Sequence, residues 1–372
     1  MTDFRPFCGI RPKEELAHKI AAVPHERVYR KPDEKLEKML QDGGMIQEET
    51  PCYYLYELER MGHIQTGLIG CVSIDDYLNG RIRKHENTKT EKEKALTSYM
   101  EKCRIQTGPI FLAHRENPAL SDIYVRIKKE KPLYSFSTKD GVRHRIWNVQ
   151  KAAYISEIRN LFQKVPELYI ADGHHRAASA VKIGLKRREE DGNYTGEEAY
   201  NYMLSVLFSS QDLKIWDYNR YVHDLNGNTV EQFLNKVREQ CELTIGRGLK
   251  PKEKGTIEMY VNHTWYTLTM KNQESKEKAV DSLDVVKLQN RILAPILGIT
   301  QPKTDERLEF IGGMQGCSEL KRLVDEKGGV AFAMYPTEME ELLAVADAGL
   351  LMPPKSTWFE PKLKNGLFIH RF

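Results

Sequence analysis

Close cysteine pairs are missing from this chain of 372 residues. Cys8, Cys52, Cys71, Cys103, Cys241 and Cys317 are scattered, and no two are spaced as C-x-x-C. A structural zinc site needs closely paired ligands, so none is expected. Dispersed single thiols suit a reducing compartment. Long apolar runs are missing too: no stretch approaches the roughly eighteen residues of a membrane span, and residues 1–10 carry no apolar signal region. The expectation is a cytoplasmic protein without a membrane partner. Charge of one sign is not in excess, because 56 Lys and Arg face 53 Asp and Glu for a net charge of +3. A DNA-binding chain usually shows a stronger basic excess or stripe, so a nucleic-acid partner is not expected and a small-molecule partner is favoured. Internal repeats are absent, as is low-complexity sequence apart from charge runs such as 186–191.

What is present suffices for a sizeable core, with 40% hydrophobic and 29% charged residues. Two runs rich in Tyr, Leu, Ile and Val, 52–58 and 64–74, flank a Met61-Gly62 break and read as paired strands. A Lys- and Glu-rich stretch through Tyr99 reads as a helix capped at Asn87 or Thr88. Alternation at Tyr134, Phe136 and Thr138, then Val142, His144 and Ile146, around Asp140-Gly141 predicts a hairpin with a type I′ turn. Further strands are predicted at 109–112, 168–171, 203–208 and 330–334, a helix at 231–240, and a hairpin of Ile257, Met259 and Val261 against Trp265 and Leu268. A helix opened by a capping box over 337–340 should stop at Gly349. Hairpins mixed irregularly with helices predict an α+β fold with a mixed sheet. The expected division is a core of 1–224 with insertions, a small α+β unit at 225–300, and a C-terminal segment of 301–372 packing back on the core.

The chemistry concentrates at Asp172-Gly173-His174-His175-Arg176, where an apolar strand meets a helix. The first backbone N–H groups of a helix lack intrahelical partners, and with the helix dipole they favour an anion. Gly173 lets that anion approach closely. Arg176 adds a fork of donors suited to phosphate oxygens. His174 and His175 can donate to phosphate or accept from a hydroxyl, and Asp172 can bind a metal ion or orient a histidine. A plainer reading makes Asp172 a helix N-cap and the histidines surface residues. Adjacent helical residues do not share a face, which argues against both histidines gripping one ion.

This strand–Asp-Gly-His-His-Arg–helix unit resembles the nucleotide-binding motif of the ParB/sulfiredoxin-like superfamily. The wider chain resembles a bacterial and archaeal family catalogued as a domain of unknown function and related to the free-serine kinases. The resemblance runs nearly end to end, through Phe4-Arg5-Pro6, Ile10-Arg11-Pro12, Arg83-Lys84-His85-Glu86-Asn87-Thr88, the 170–176 turn, Asp217-Tyr218-Asn219-Arg220 and the string from Met352 to Lys362. It implies a ParB/sulfiredoxin-like nucleotide-binding core and a kinase using ATP or ADP with Mg2+, acting on a small hydroxylated metabolite such as L-serine. By the same resemblance Glu86 is the general base, Asp172 and His175 serve catalysis, and Asp172 meets the metal. Gly173, His174, Arg176, Lys355 and Lys362 are the phosphate-binding candidates, with Trp358 and Phe359 as stacking or packing surfaces. Glu86 read plainly is a first-turn helix carboxylate favoured by the dipole. Lys355 and Lys362 read plainly belong to an ordered surface tail, and Arg81, Arg83 and Lys84 to a solvated face. Many relatives carry Pro-Tyr-Asp where this chain has Pro24-His25-Glu26, so Glu26 is the candidate for that aspartate's role. The alternative to a kinase is a non-catalytic nucleotide-binding switch or a DNA-associated ParB-like protein, although no helix-turn-helix signature is visible. A sulfiredoxin-like reductase would need a cysteine where His174 stands. A homodimer is left open.

Overall fold

A computed structural model describes residues 1–22, 32–88, 90–270 and 278–372. The chain forms two compact units, residues 1–213 with 361–372, and residues 214–360. The first is built on a nine-stranded mixed sheet. Across it the strands run Ile82–Arg83, Leu168–Asp172, Ile110–His114, Tyr202–Ser209, His63–Ser73, Tyr53–Arg60, Arg143–Val149 and Tyr134–Ser137, while Phe4–Arg5 also pairs with His63–Ser73. Two pairings are parallel, Leu168–Asp172 on Ile82–Arg83 and Tyr202–Ser209 on Ile110–His114; the others are antiparallel. The fold is therefore α+β with a mixed sheet, as the sequence predicts.

Central strands of this sheet are buried almost throughout, so their apolar runs are continuous and do not alternate. Leu55, Leu68, Val72, Leu112, Leu168, Ile170, Met203 and Leu207 are all within 1% of complete burial. The helix His174–Asp191 packs on this core through Ala177, Ala180, Val181, Ile183 and Gly184. Its small residues are needed for close approach: a Cβ on Gly184 would lie 2.5 Å from Ile74 Cδ1. The helix Thr90–Cys103 lies against it, joined by Ser179 Oγ donating to the Glu93 carbonyl (3.2 Å) and by the Lys182–Glu93 ion pair.

Residues 214–360 carry an antiparallel six-stranded sheet, in the order Cys241–Ile245, Thr264–Met270, Thr256–Val261, Val330–Met334, Tyr218–Val222 and Leu308–Gly312. This order moves the boundaries expected at 224/225 and 300/301. Tyr218–Val222 pairs with both Leu308–Gly312 and Val330–Met334, so the segments on either side of 225–300 share one sheet with it. Only residues 361–372 return to the first unit.

Three local expectations shift. The 138–142 turn is not type I′, which needs positive φ at both central residues. Only Gly141 has it (φ +77°), and the turn closes through Gly141 N to Thr138 O and Thr138 N to Val142 O. The capping box of the last long helix, Met339–Asp347, uses Glu338 and Glu341, because the Thr337 hydroxyl is buried and donates to the Ser356 carbonyl. The helix expected to be capped at Asn87 or Thr88 begins at Thr90, with the Thr88 hydroxyl donating to the Glu93 carboxylate (2.6 Å). The segment holding Glu26 lies outside the described residues.

His114 and His144 sit inside the first unit, and burial lowers both from the ordinary 6.5 to about 4. Above pH 6.5 both folded and unfolded forms are neutral. Between 6.5 and 4 the unfolded chain binds protons that the folded chain refuses, so stability falls as pH drops through that window. Each histidine accounts for at most about 3 kcal/mol. Urea midpoints should therefore fall between pH 7 and 4.5, and His114→Gln should flatten the slope. A midpoint independent of pH would contradict this.

Candidate functional site

The turn predicted from sequence is formed by the end of one strand and the start of one helix. Asp172 closes the strand Leu168–Asp172, and Gly173 is the N-cap of His174–Asp191, with φ +102° and ψ +27°. The side chain of Asp172 therefore makes no N-cap bond. A Cβ at position 173 would adopt a disfavoured left-handed conformation and lie 3.0 Å from both Nε and Nη2 of Arg176. Glycine thus sets the turn and makes room for the guanidinium.

Arg176 folds back under the turn. Its Nη1 donates to the Pro109 carbonyl, and its Nη2 lies 3.9 Å from the Asp172 carboxylate. Lys362 reaches Asp172 from the C-terminal segment, Nζ to Oδ2 at 2.8 Å. Desolvation alone would raise the Asp172 carboxyl, but the charges of Lys362 and Arg176 overcome it and hold the group well below the usual carboxylate range. A second ion pair lies nearby, from Lys364 Nζ to Asp140 Oδ2 at 2.7 Å. Asp140 is likewise pushed down to about 2: desolvation opposes this, and hydrogen bonds from Lys364 and Thr138 prevail.

The histidines behave differently. His174 is 8% exposed and packs perpendicular to His85, with ring centroids 4.7 Å apart. Burial lowers His85 to about 4 and, with the neighbouring His85, pushes His174 well below its ordinary value. His174 is therefore a neutral donor or acceptor at pH 7 and not a cation, and its Nε2 has no hydrogen-bond partner. His175 is half-buried one position further on.

These side chains surround one cavity of about 960 Å³ within the first unit. Asp172, Gly173, His174, His175, Arg176 and Lys362 line it, and so does Glu86. Glu86 lies in the loop before Thr90–Cys103 and not in that helix's first turn. Lys355 does not line this cavity; it belongs to the second unit, where its ammonium lies 5.3 Å from the Tyr218 ring centroid. Trp358 stacks on Tyr218 in that unit, and Phe359 is buried there. Arg81 and Arg83 pair with Asp76 and Glu167.

Sequence reading missed several lining residues. Lys92, Ala95, Leu96 and Tyr99 form one face of the helix Thr90–Cys103 and give the cavity a largely apolar wall. Their i, i+3, i+4, i+7 spacing was the available signal. Thr138, Lys139 and Asp140 come from the hairpin turn, and Lys364 and Asn365 from the C-terminal segment. Five cations (Lys92, Lys139, Arg176, Lys362, Lys364) face three carboxylates (Glu86, Asp140, Asp172) around this space. An anion with an apolar portion suits that lining.

No group of three or more His, Cys, Asp or Glu capable of holding a metal exists among the described residues. Asp172, at the turn, fits the use of one protein carboxylate by Mg2+ when phosphates supply the other ligands. No helix among the described residues is long and apolar enough to cross a membrane.

Gly173→Ala should cost roughly 1–2 kcal/mol through its left-handed backbone alone. Urea denaturation measures the effect, and a variant as stable as its parent would contradict it.

No curated protein matches the chain. Among solved structures, a free serine kinase variant in complex with ADP aligns with a TM-score of 0.39 and 13% identity, covering 80% of this chain and 92% of that one. A conserved hypothetical protein from Pyrococcus furiosus aligns with a TM-score of 0.38 and 12% identity, covering 80% and 93%. SbnI with a C-terminal truncation, from Staphylococcus aureus, aligns at 0.39 and 12%, covering 80% and 85%. The family described as protein of unknown function (DUF1015) matches residues 10–286. The chain belongs to that family.

Proposed function

We propose that this protein is a nucleotide-dependent phosphotransferase acting on a small hydroxylated metabolite, built on a ParB/sulfiredoxin-like core. The observation that carries this reading is that one cavity is lined both by the phosphate-suited Gly173–Arg176 turn and by the Glu86 carboxylate. Phosphoryl transfer asks little covalent chemistry of a protein; it needs positioning and charge neutralisation. Arg176, Lys362 and the N–H groups of the first helical turn serve the phosphates of ATP or ADP. The apolar face of Thr90–Cys103 serves the less polar part of the nucleotide.

The Asp172 carboxylate would hold the Mg2+ that accompanies a nucleotide, and the ion would supply neutralisation of phosphate charge. That carboxylate is already ionised and needs no proton loss. Lys362, paired with Asp172, stands beside the turn where a phosphate oxygen can meet it. Glu86 accepts the proton of the substrate hydroxyl as its oxygen bonds to the terminal phosphorus, and the bond to the departing ADP or AMP breaks. His175, half-buried at the same wall, assists at the phosphates. L-serine is the substrate to which the sequence resemblance points.

Purified protein incubated with Mg2+, ATP or ADP, and a panel of hydroxylated metabolites including L-serine should yield a phosphorylated product. Glu86→Gln should lower the transfer rate about 100-fold or more while leaving nucleotide affinity within about threefold. Absence of product across the panel, with nucleotide still bound, would favour the non-catalytic switch.

A further inference from the structure

Asn365 follows the two lysines that reach Asp172 and Asp140, and it lines the same cavity. It is only 6% exposed, yet its Oδ1 is buried without a hydrogen-bond partner. A buried amide oxygen left unpaired carries its desolvation cost uncompensated, so a native occurrence calls for an explanation. Its position is built in and does not result from a loose side chain. Gly366, at φ +79°, donates its N–H to the Thr107 carbonyl at 2.7 Å and pins the backbone beside it. A Cβ on Gly108 would lie 2.4 Å from Asn365 Oδ1 and 3.2 Å from Arg176 Nη1. The Asn365 amide and the Arg176 guanidinium thus crowd the same face of Gly108.

The chemistry of an amide narrows what can pair with it. Whichever way the amide is turned, it offers one acceptor oxygen and one donor nitrogen. Phosphate and carboxylate oxygens only accept, so they cannot satisfy the amide oxygen. An ammonium would satisfy it but would meet Arg176, Lys362 and Lys364 in the same cavity. A hydroxyl both donates and accepts and carries no charge.

We propose that Asn365 is a ligand-positioning residue that binds a hydroxyl group of the molecule held in this cavity, next to the Arg176 end. The inference rests on the phosphotransferase reading and sharpens it. The hydroxyl comes from one of two sources, the acceptor metabolite or the nucleotide ribose, and both present the same group to the amide.

The test compares the full chain with Asn365→Leu and Asn365→Ala. Melting temperature, calorimetric affinity for ADP and for 2′,3′-dideoxy-ADP, and the KM and kcat for L-serine with nucleotide and Mg2+ are measured. Asn365→Leu replaces an unpaired amide with an apolar group of similar shape, so it should melt at or above the parent. A ribose contact appears as an ADP affinity lowered about tenfold, with the parent's preference for ADP over the dideoxy compound lost. An acceptor contact appears as a KM for L-serine raised about tenfold, with ADP affinity and kcat little changed. A parent that binds and transfers normally, with both variants matching it in every binding and kinetic term, overturns the Asn365 assignment alone. A lower melting temperature with unchanged ligand terms also overturns it, because the role is then structural. A parent that binds neither ADP nor L-serine overturns this inference and the phosphotransferase reading together.

Discussion

The ion pair between Lys362 and Asp172 is the constraint on which the cavity depends. The chain leaves the first unit after Leu213 and returns at Pro361, and this contact places its returning end over the glycine turn. Both partners are partly exposed, with side chains 45% and 38% accessible, so the pair adds no more than about 1 kcal/mol to stability. Its importance is positional. The companion pair Lys364–Asp140 fastens the same segment to the hairpin turn, and Arg371–Glu37 adds another contact further along it. The two lysines in the cavity are thereby held at fixed points, each covering a carboxylate that stays ionised.

Charge in this cavity is divided in a way that the string Asp-Gly-His-His-Arg does not reveal. Two adjacent histidines suggest extra positive charge for phosphate. Burial against His85 removes that from His174, which stays neutral. The permanent cations are arginine and lysine, and the permanent anions are aspartates pushed below their ordinary range. The charge of the turn at neutral pH therefore owes nothing to His174.

Local sequence made much of this legible. The strand Leu168–Asp172, the helix after it and the hairpin 134–149 follow from apolar periodicity and from glycines at positions that need positive φ. Glu86 could be placed at the same site only through the family resemblance, because 86 residues of spacing to the turn carry no geometric signal of their own. The division of the chain was not legible. Strands Leu308–Gly312 and Val330–Met334 look independent in sequence, yet both pair with Tyr218–Val222, and strand partners so far apart are chosen by tertiary packing. Lys364 and Asn365 were missed for a related reason: nothing in Leu-Lys-Asn-Gly marks a site until the segment is laid against Gly108 and Asp140.

Two buried polar groups that line the cavity contrast with one that supports it from the hairpin. His144, deep in the hairpin, has both ring nitrogens engaged, by Tyr56 Oη at 2.7 Å and Thr138 Oγ1 at 3.0 Å, and this fixes the turn that carries Asp140. His174 and Asn365 are almost as well buried, line the cavity, and each leaves a polar atom without a partner. Burial was achieved in both places, so lack of packing does not account for the difference. A core that can satisfy a histidine on both sides can also accommodate an apolar residue at 365, which would remove the cost of the unpaired amide. Retaining the amide in that position, on a backbone pinned by Gly366 and crowded against Gly108, makes physical sense where a bound molecule completes the hydrogen bond.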